Sequence, residues 1–223
     1  MSRPTASELR WPIDCDESKQ QALDWAEGMS SQAIDYVLRS FIQLRSNALD
    51  SIDLTQDLEQ LERDLTSNHF VEIQNLWVTE TDGYPSFVPH HEYPEMGTRS
   101  PAPAKPPAYD FAFVWQVNHR VAWPIEAKVL PTPKTLALYL KDTSKFIDGT
   151  AAPFSSQGSQ LAYLLRGTCE EFFSELSLKL VGSTLVSTAQ VAPEHRISHH
   201  SRKDLLPLSI HHLALLLVLD GQD

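Results

Sequence analysis

The sequence predicts an α/β protein: a mixed central β-sheet flanked by helices, with an N-terminal helical extension. Three observations lead there. Apolar residues recur at helical spacing through the first third of the chain, short β-branched and aromatic runs follow, and two further helical patterns separate these from a late pair of apolar runs. Helices inserted between strands imply a sheet with helices on its faces. The boundaries drawn are an arm and helical extension over 1–50 and a second unit over 51–223.

Residues 1–16 read as a loose arm. From Glu17 to Ser46, Leu23, Ala26, Met29, Ala33, Val37, Phe41 and Leu44 repeat every three or four residues and make one apolar face. Leu54, Leu58, Leu61 and Leu65 continue helically, with an acidic outer face of Asp57, Glu59, Glu62 and Asp64. FVEIQNLWV, Phe70 to Val78, reads as a strand from its aromatic and β-branched bias. TDGYP is a turn, and Ser86 to Pro107, ending in PAPAKPP, reads as an irregular loop. YDFAFVW and VAWPIEAKVL then form a hairpin. TPKTLALYLKDTSKFID and SSQGSQLAYLLRGTCEEFFSEL look helical. LSLKLVGSTLVST and HHLALLLVL read as strands, joined by the basic, His-rich EHRISHHSRKD.

The bulk composition narrows the function classes. Acidic residues outnumber Lys and Arg by 29 to 18, a net charge of −11, which argues against a broad nonspecific grip on nucleic acid while leaving room for a local basic site. No apolar run is long enough to span a membrane, and the N-terminus lacks a signal-peptide core, so no membrane partner and a cytoplasmic location are expected. Two cysteines, Cys15 and Cys169, provide neither a disulfide framework nor a zinc quartet.

The chemistry concentrates in Tyr109 to Leu130. Side chains at i and i+2 of a strand share a face, so Glu126 and Lys128 project together. If Gln116 to Arg120 turn the hairpin, Asp110 returns to the same end. Two carboxylates there suit a hard divalent cation, Mg²⁺ or Mn²⁺. An ammonium beside them suits the orientation of a metal-bound water or the steadying of a phosphate.

Asp110, fifteen residues, then Glu126-Ala127-Lys128 after an apolar strand resembles the motif of the PD-(D/E)xK nuclease superfamily, the restriction-endonuclease-like fold. The likeness covers roughly residues 54–175; Tyr109, not proline, precedes Asp110. It implies Mg²⁺-dependent cleavage of phosphodiester bonds, DNA before RNA, with Asp110 and Glu126 as metal ligands and Lys128 positioning water. It also implies a third acid from the helix before the sheet and a glutamine from the helix after the motif. Glu62, about 70° from the centre of its leucine stripe, and Gln160, with Gln157 nearly as well placed, fit these positions. KFIDGTAAPFSSQGSQLAYLLRG with the later HHSR resembles small bacterial nuclease-like proteins, some associated with defence against foreign DNA. Cutting two strands usually asks for two sites, so a homodimer or another protein partner is expected.

Competing readings stand beside these. A nuclease fold without activity would serve as an interaction module for a protein partner; an RNA-directed effector, held off until a sensor signals, is a third possibility. His90-His91, His199-His200 and His211-His212 do not suggest zinc, because adjacent strand side chains point apart. His199, His200, Arg202 and Lys203 read as a basic rim for phosphate, or as a solvated loop.

Overall fold

The computed structural model describes residues 16–80, 86–94, 108–119, 121–153, 155–180, 183–186, 193–203 and 205–217. Nearly all of the expected arm, the turn at 81–85 and the PAPAKPP stretch lie outside these residues. The described chain is an α/β fold. Its helices are α1 (Asp16–Asn47), α2 (Leu58–Glu80), α3 (Ala137–Asp148) and α4 (Cys169–Lys179). Its strands are β1 (Phe87–Pro94), β2 (Ala108–Trp115), β3 (Ala122–Leu130), β4 (Gln157–Leu164), β5 (Leu185–Val186), β6 (His195–His200) and β7 (Leu208–Leu216).

All seven strands join one sheet in the order β1-β2-β3-β4-β7-β6-β5. The pairs β3–β4 and β4–β7 are parallel; the other four are antiparallel. The antiparallel hairpin of β2 and β3 thus feeds a parallel centre. β4 lies between two parallel neighbours and is buried along almost its whole length, so its sequence lacks the alternation of a half-exposed strand.

Apolar side chains close both faces of the sheet. Met29, Val37, Phe41 and Leu44 of α1 and Leu61, Leu65 and Ile73 of α2 pack with Phe111, Trp123, Ile125, Leu161 and Leu213. On the other side Tyr139 of α3 and Phe172 and Leu176 of α4 pack with Leu130, Ala162, Leu164 and Ala214. The first helix therefore shares a core with the sheet that follows it. His69 reinforces the junction: Nε2 lies 2.8 Å from Ser40 Oγ and 3.0 Å from the Val37 carbonyl, and Nδ1 lies 2.7 Å from Tyr163 Oη.

Several sequence expectations are corrected. Phe70 to Val78 is helical, because Phe70, Ile73 and Leu76 extend the buried stripe begun by Leu61 and Leu65. That stripe outweighs the local strand bias. SSQGSQLAYLL is strand β4, and the helix begins only at Cys169. Thr168 and Glu171 form a reciprocal capping box there, so the start was written in the sequence as TCEE. LSLKL finishes α4, and among the described residues of that region Leu185–Val186 is strand. The expected loops at 86–94 and 195–200 contain the strands β1 and β6.

Candidate active site

Phe111 pairs with Ile125, and there the registered contact between β2 and β3 ends. Continued by one step, the register sets Asp110 opposite Glu126. From Ile125 onward β3 pairs with β4 on its other side. Its edge towards β2 is left with unpaired amides, and two carboxylates take them. Asp110 Oδ2 accepts from the Ala127 amide at 2.7 Å, and Glu62 Oε2 accepts from the Val129 amide at 3.3 Å. Acidic side chains thus replace ladder partners where the strands separate.

Lys128 sits among the acids. Its Nζ donates to Glu62 Oε1 at 2.6 Å and to the Ala127 carbonyl at 2.7 Å, and lies 3.4 Å from Asp142 Oδ2. Burial alone would lower the Lys128 pKa, but the surrounding charges of Glu62, Asp110 and Asp142 overcome that and hold it above the ordinary range. Asp142, on the sheet-facing side of α3, also accepts from Lys145 Nζ at 2.5 Å.

Glu126 is half-buried, and among the described residues it makes no hydrogen bond or ion pair. Burial, then the charges of Asp110 and Asp142, push its pKa well above the carboxylate range, against Lys128 and Lys145. Burial likewise raises Asp110 to about 6, opposed by the Lys128 charge and the Ala127 amide. Four carboxyl groups, Asp110, Glu126, Glu62 and Asp142, face two ammonium groups, Lys128 and Lys145. Fully ionised, four negative and two positive charges leave an excess of two negative charges.

Asp110, Glu126, Lys128 and Glu62 are therefore neighbours, as the sequence predicts. Gln160 lies beside Glu126 in the β3–β4 register, but on a strand rather than on the expected helix. It is fully buried; Nε2 donates to the Tyr139 carbonyl at 2.6 Å, and Oε1 accepts from Thr143 at 2.6 Å. Its amide joins α3 to the sheet beneath Glu126 and presents no free end to a substrate. Gln157, at the start of the same strand, accepts at Oε1 from His211 Nε2 at 3.0 Å.

The expected basic rim divides. His199 and Lys203 are exposed. His200 is buried with Nε2 2.7 Å from Ser198 Oγ. Arg202 is also buried, and its guanidinium donates to the carbonyls of Leu206, Phe146, Ala152 and Ser155 at 2.6–3.3 Å. It clamps main chain, so a phosphate would have to displace those bonds to reach it. His211 and His212 point to opposite faces, towards Trp123 and Tyr139 respectively.

Sequence reading missed Asp142. The available signal was position: Tyr139, Thr143 and Phe146 form the buried stripe of α3, with Leu136 at its N-cap, and Asp142 lies within it. An acid inside an apolar stripe needs a partner, whereas one on an outer face does not.

Among the described residues, no three His, Cys, Asp or Glu side chains converge as a metal ion would require in their present positions. Asp110 is turned onto Ala127 and Glu62 onto Lys128. No family model, curated protein or solved structure matches the chain. No described helix is long and apolar enough to cross a membrane.

Proposed function

We propose that the chain is a metal-dependent nuclease that hydrolyses phosphodiester bonds, using the site where β2 and β3 part. The observation carrying this reading is Glu126: a half-buried carboxylate without a hydrogen-bond partner among the described residues, beside a second raised carboxyl group. Such a group is costly unless protonated or matched by a cation. Asp110 and Glu126 supply hard oxygen atoms, and the local excess of negative charge suits Mg²⁺ or Mn²⁺. These residues fit the ion, with Glu62 as a third ligand once it leaves Lys128. The ion would supply Lewis acidity towards a phosphoryl oxygen and a more acidic water.

The chain's own groups divide the remaining work. Lys128 carries a positive charge at neutral pH and stands next to both carboxylates, where it orients water or offsets charge developing on phosphate. Asp110 shapes the opening by holding Ala127 while β2 diverges. Gln160 stiffens the floor through Tyr139 and Thr143. DNA is favoured over RNA by the family resemblance alone. A bacterial defence role belongs to the same resemblance, whereas a cytoplasmic location rests on the composition and a dimer on the two sites that cutting two strands asks for.

The test is hydrolysis of DNA and RNA by purified protein with Mg²⁺ or Mn²⁺, compared with Glu126→Gln and Lys128→Ala. Metal-dependent cutting lost in both variants supports the reading. No cutting by the wild type, together with no metal binding by calorimetry, overturns it.

A second reading rests on the hydrogen bonds of Asp110 and Glu62. Both carboxylates satisfy β3 amides, which is a purely structural task. A noncatalytic interaction module for a protein partner would need nothing more from them. It predicts that Asp110→Asn retains function in cells, whereas the nuclease reading predicts loss.

A further inference from the structure

The Lys128–Asp142–Lys145 arrangement is not explained by two metal ligands and a catalytic lysine. Asp142 lies between the two ammonium groups, 3.4 Å from Lys128 and 2.5 Å from Lys145. Its side chain is only 6% exposed, against 16% for Lys128 and 44% for Lys145. Lys128 in turn divides itself between Asp142 on α3 and Glu62 on α2, and the Glu62 contact is the shorter at 2.6 Å.

These distances and exposures set an order of exchange. Lys145 is the member that solvent and ligands reach first. Its compact, mobile charge is well suited to a phosphate oxygen. On the same helix the exposed Lys141, one turn earlier, makes this a local positive edge on a strongly acidic chain. A phosphate that drew Lys145 away would leave Asp142 buried with a single cation, Lys128. A buried carboxylate that loses one partner gains strongly from tightening on the other. Closing the 3.4 Å gap to Asp142 would move Lys128 off Glu62. Glu62 would then be free to turn towards Asp110 and Glu126, completing the acid group that does not converge in the present arrangement.

We propose that Asp142 is the positioning residue for Lys128, and that Lys145 is the contact through which a nucleic-acid phosphate makes Asp142 take Lys128 from Glu62. The proposal rests on the nuclease reading for its substrate. Its structural half, the hold of Asp142 on Lys128, does not.

The experiment records side-chain ammonium ¹H–¹⁵N signals of Lys128 and Lys145 in the intact chain. An ammonium held in ion pairs gives a visible signal, whereas a free one is lost to exchange with water. The wild type, Asp142→Asn, Asp142→Glu and Lys145→Gln are compared, each with and without a short DNA duplex and without divalent cation. The wild type should show Lys128, and duplex should shift Lys128 and Lys145 together. Asp142→Asn should shift the Lys128 signal, which Glu62 and the Ala127 carbonyl keep visible, and abolish its response to duplex; Asp142→Glu should restore both. Lys145→Gln should show Lys128 already at its duplex-shifted position. Under turnover, Asp142→Asn should lower kcat by at least about tenfold with KM nearly unchanged, while Lys145→Gln should mainly raise KM.

An unchanged Lys128 signal in Asp142→Asn overturns the positioning role, even if the wild type cuts DNA. A duplex that shifts Lys145 without Lys128 overturns the coupling. A wild type that cuts no nucleic acid removes the nuclease reading, and the ammonium spectra still decide whether Asp142 holds Lys128.

Discussion

Ala127 donates its main-chain N–H to Asp110 at 2.7 Å, in the place a paired strand would otherwise fill. The bond ties strand divergence to acid placement. β2 cannot pair beyond Phe111 and still leave Asp110 opposite Glu126 with room between them. The carboxylate that helps open the sheet is the one that lines the opening.

Glu126 should be a liability to the fold. Replacing it by Gln removes a desolvated carboxyl group that has no hydrogen-bond partner among the described residues, so Glu126→Gln should raise Tm by about 2–4 °C at neutral pH. The same variant should lose Mn²⁺ binding by calorimetry. A variant that melts earlier than the wild type would show that the carboxylate is satisfied in solution.

Metal stabilisation should depend on pH. Asp110 titrates near 6, and Glu126 lies well above its ordinary range. Both folded values are raised above the unfolded ones, near 4, so the folded chain holds more protons in that window. Stability contributed by these groups therefore falls as pH rises through it. A divalent cation competes with those protons, so Mn²⁺ should raise Tm more at about pH 7.5 than at about pH 5.5. Equal increments at both values would contradict the assignment.

Buried imidazoles act in the opposite direction. Burial lowers His69 and His195 to about 4, and His211 and His212 to about 3. Their folded values are depressed, so the unfolded chain takes up protons first, near 6.5. The stability they contribute is present above that value and is lost as pH falls towards 3. His69→Leu should cost about 1–3 kcal/mol at neutral pH by stranding the Tyr163 hydroxyl. It should also make the acid limb of the stability curve shallower, as urea titrations at several pH values would show.

Arg202 and Lys203 should separate two roles that look alike in sequence. Arg202→Lys cannot reproduce the fork that serves four carbonyls, and should cost about 2–4 kcal/mol in urea unfolding. Lys203→Ala should leave stability unchanged. If Lys203 meets phosphate, its removal should lower the salt slope of DNA binding by about 1. A stable Arg202→Lys protein with weakened DNA binding would reverse the assignment.

The site was legible because it rests on short-range rules. The period of two put Glu126 and Lys128 on one face, and the hairpin brought back Asp110. The helices after the motif were less legible. β4 is buried between parallel neighbours, so SQLAYLL carries no alternation and was read as helix. The same error placed Gln160 on the wrong element; the strand register is what sets it beside Glu126. Phe70 to Val78 failed for the converse reason: residue preference was read where the longer stripe from Leu61 decided. Arg202 serves carbonyls on segments distant in sequence, and only burial distinguishes it from a surface charge, whereas Asp142 was marked by its place in the apolar stripe of α3.

The junction at His69 bears on how the molecule comes apart. Its ring is gripped by the first helix through Val37 and Ser40 and by a central strand through Tyr163. Opening that junction strands buried polar atoms on three elements at once. Residues 16–50 and the sheet should therefore melt as one cooperative unit, with a single calorimetric transition. A chain cut after Asn47 would not be a smaller version of the same fold; it would be a sheet with only α2 left over the face that two helices close.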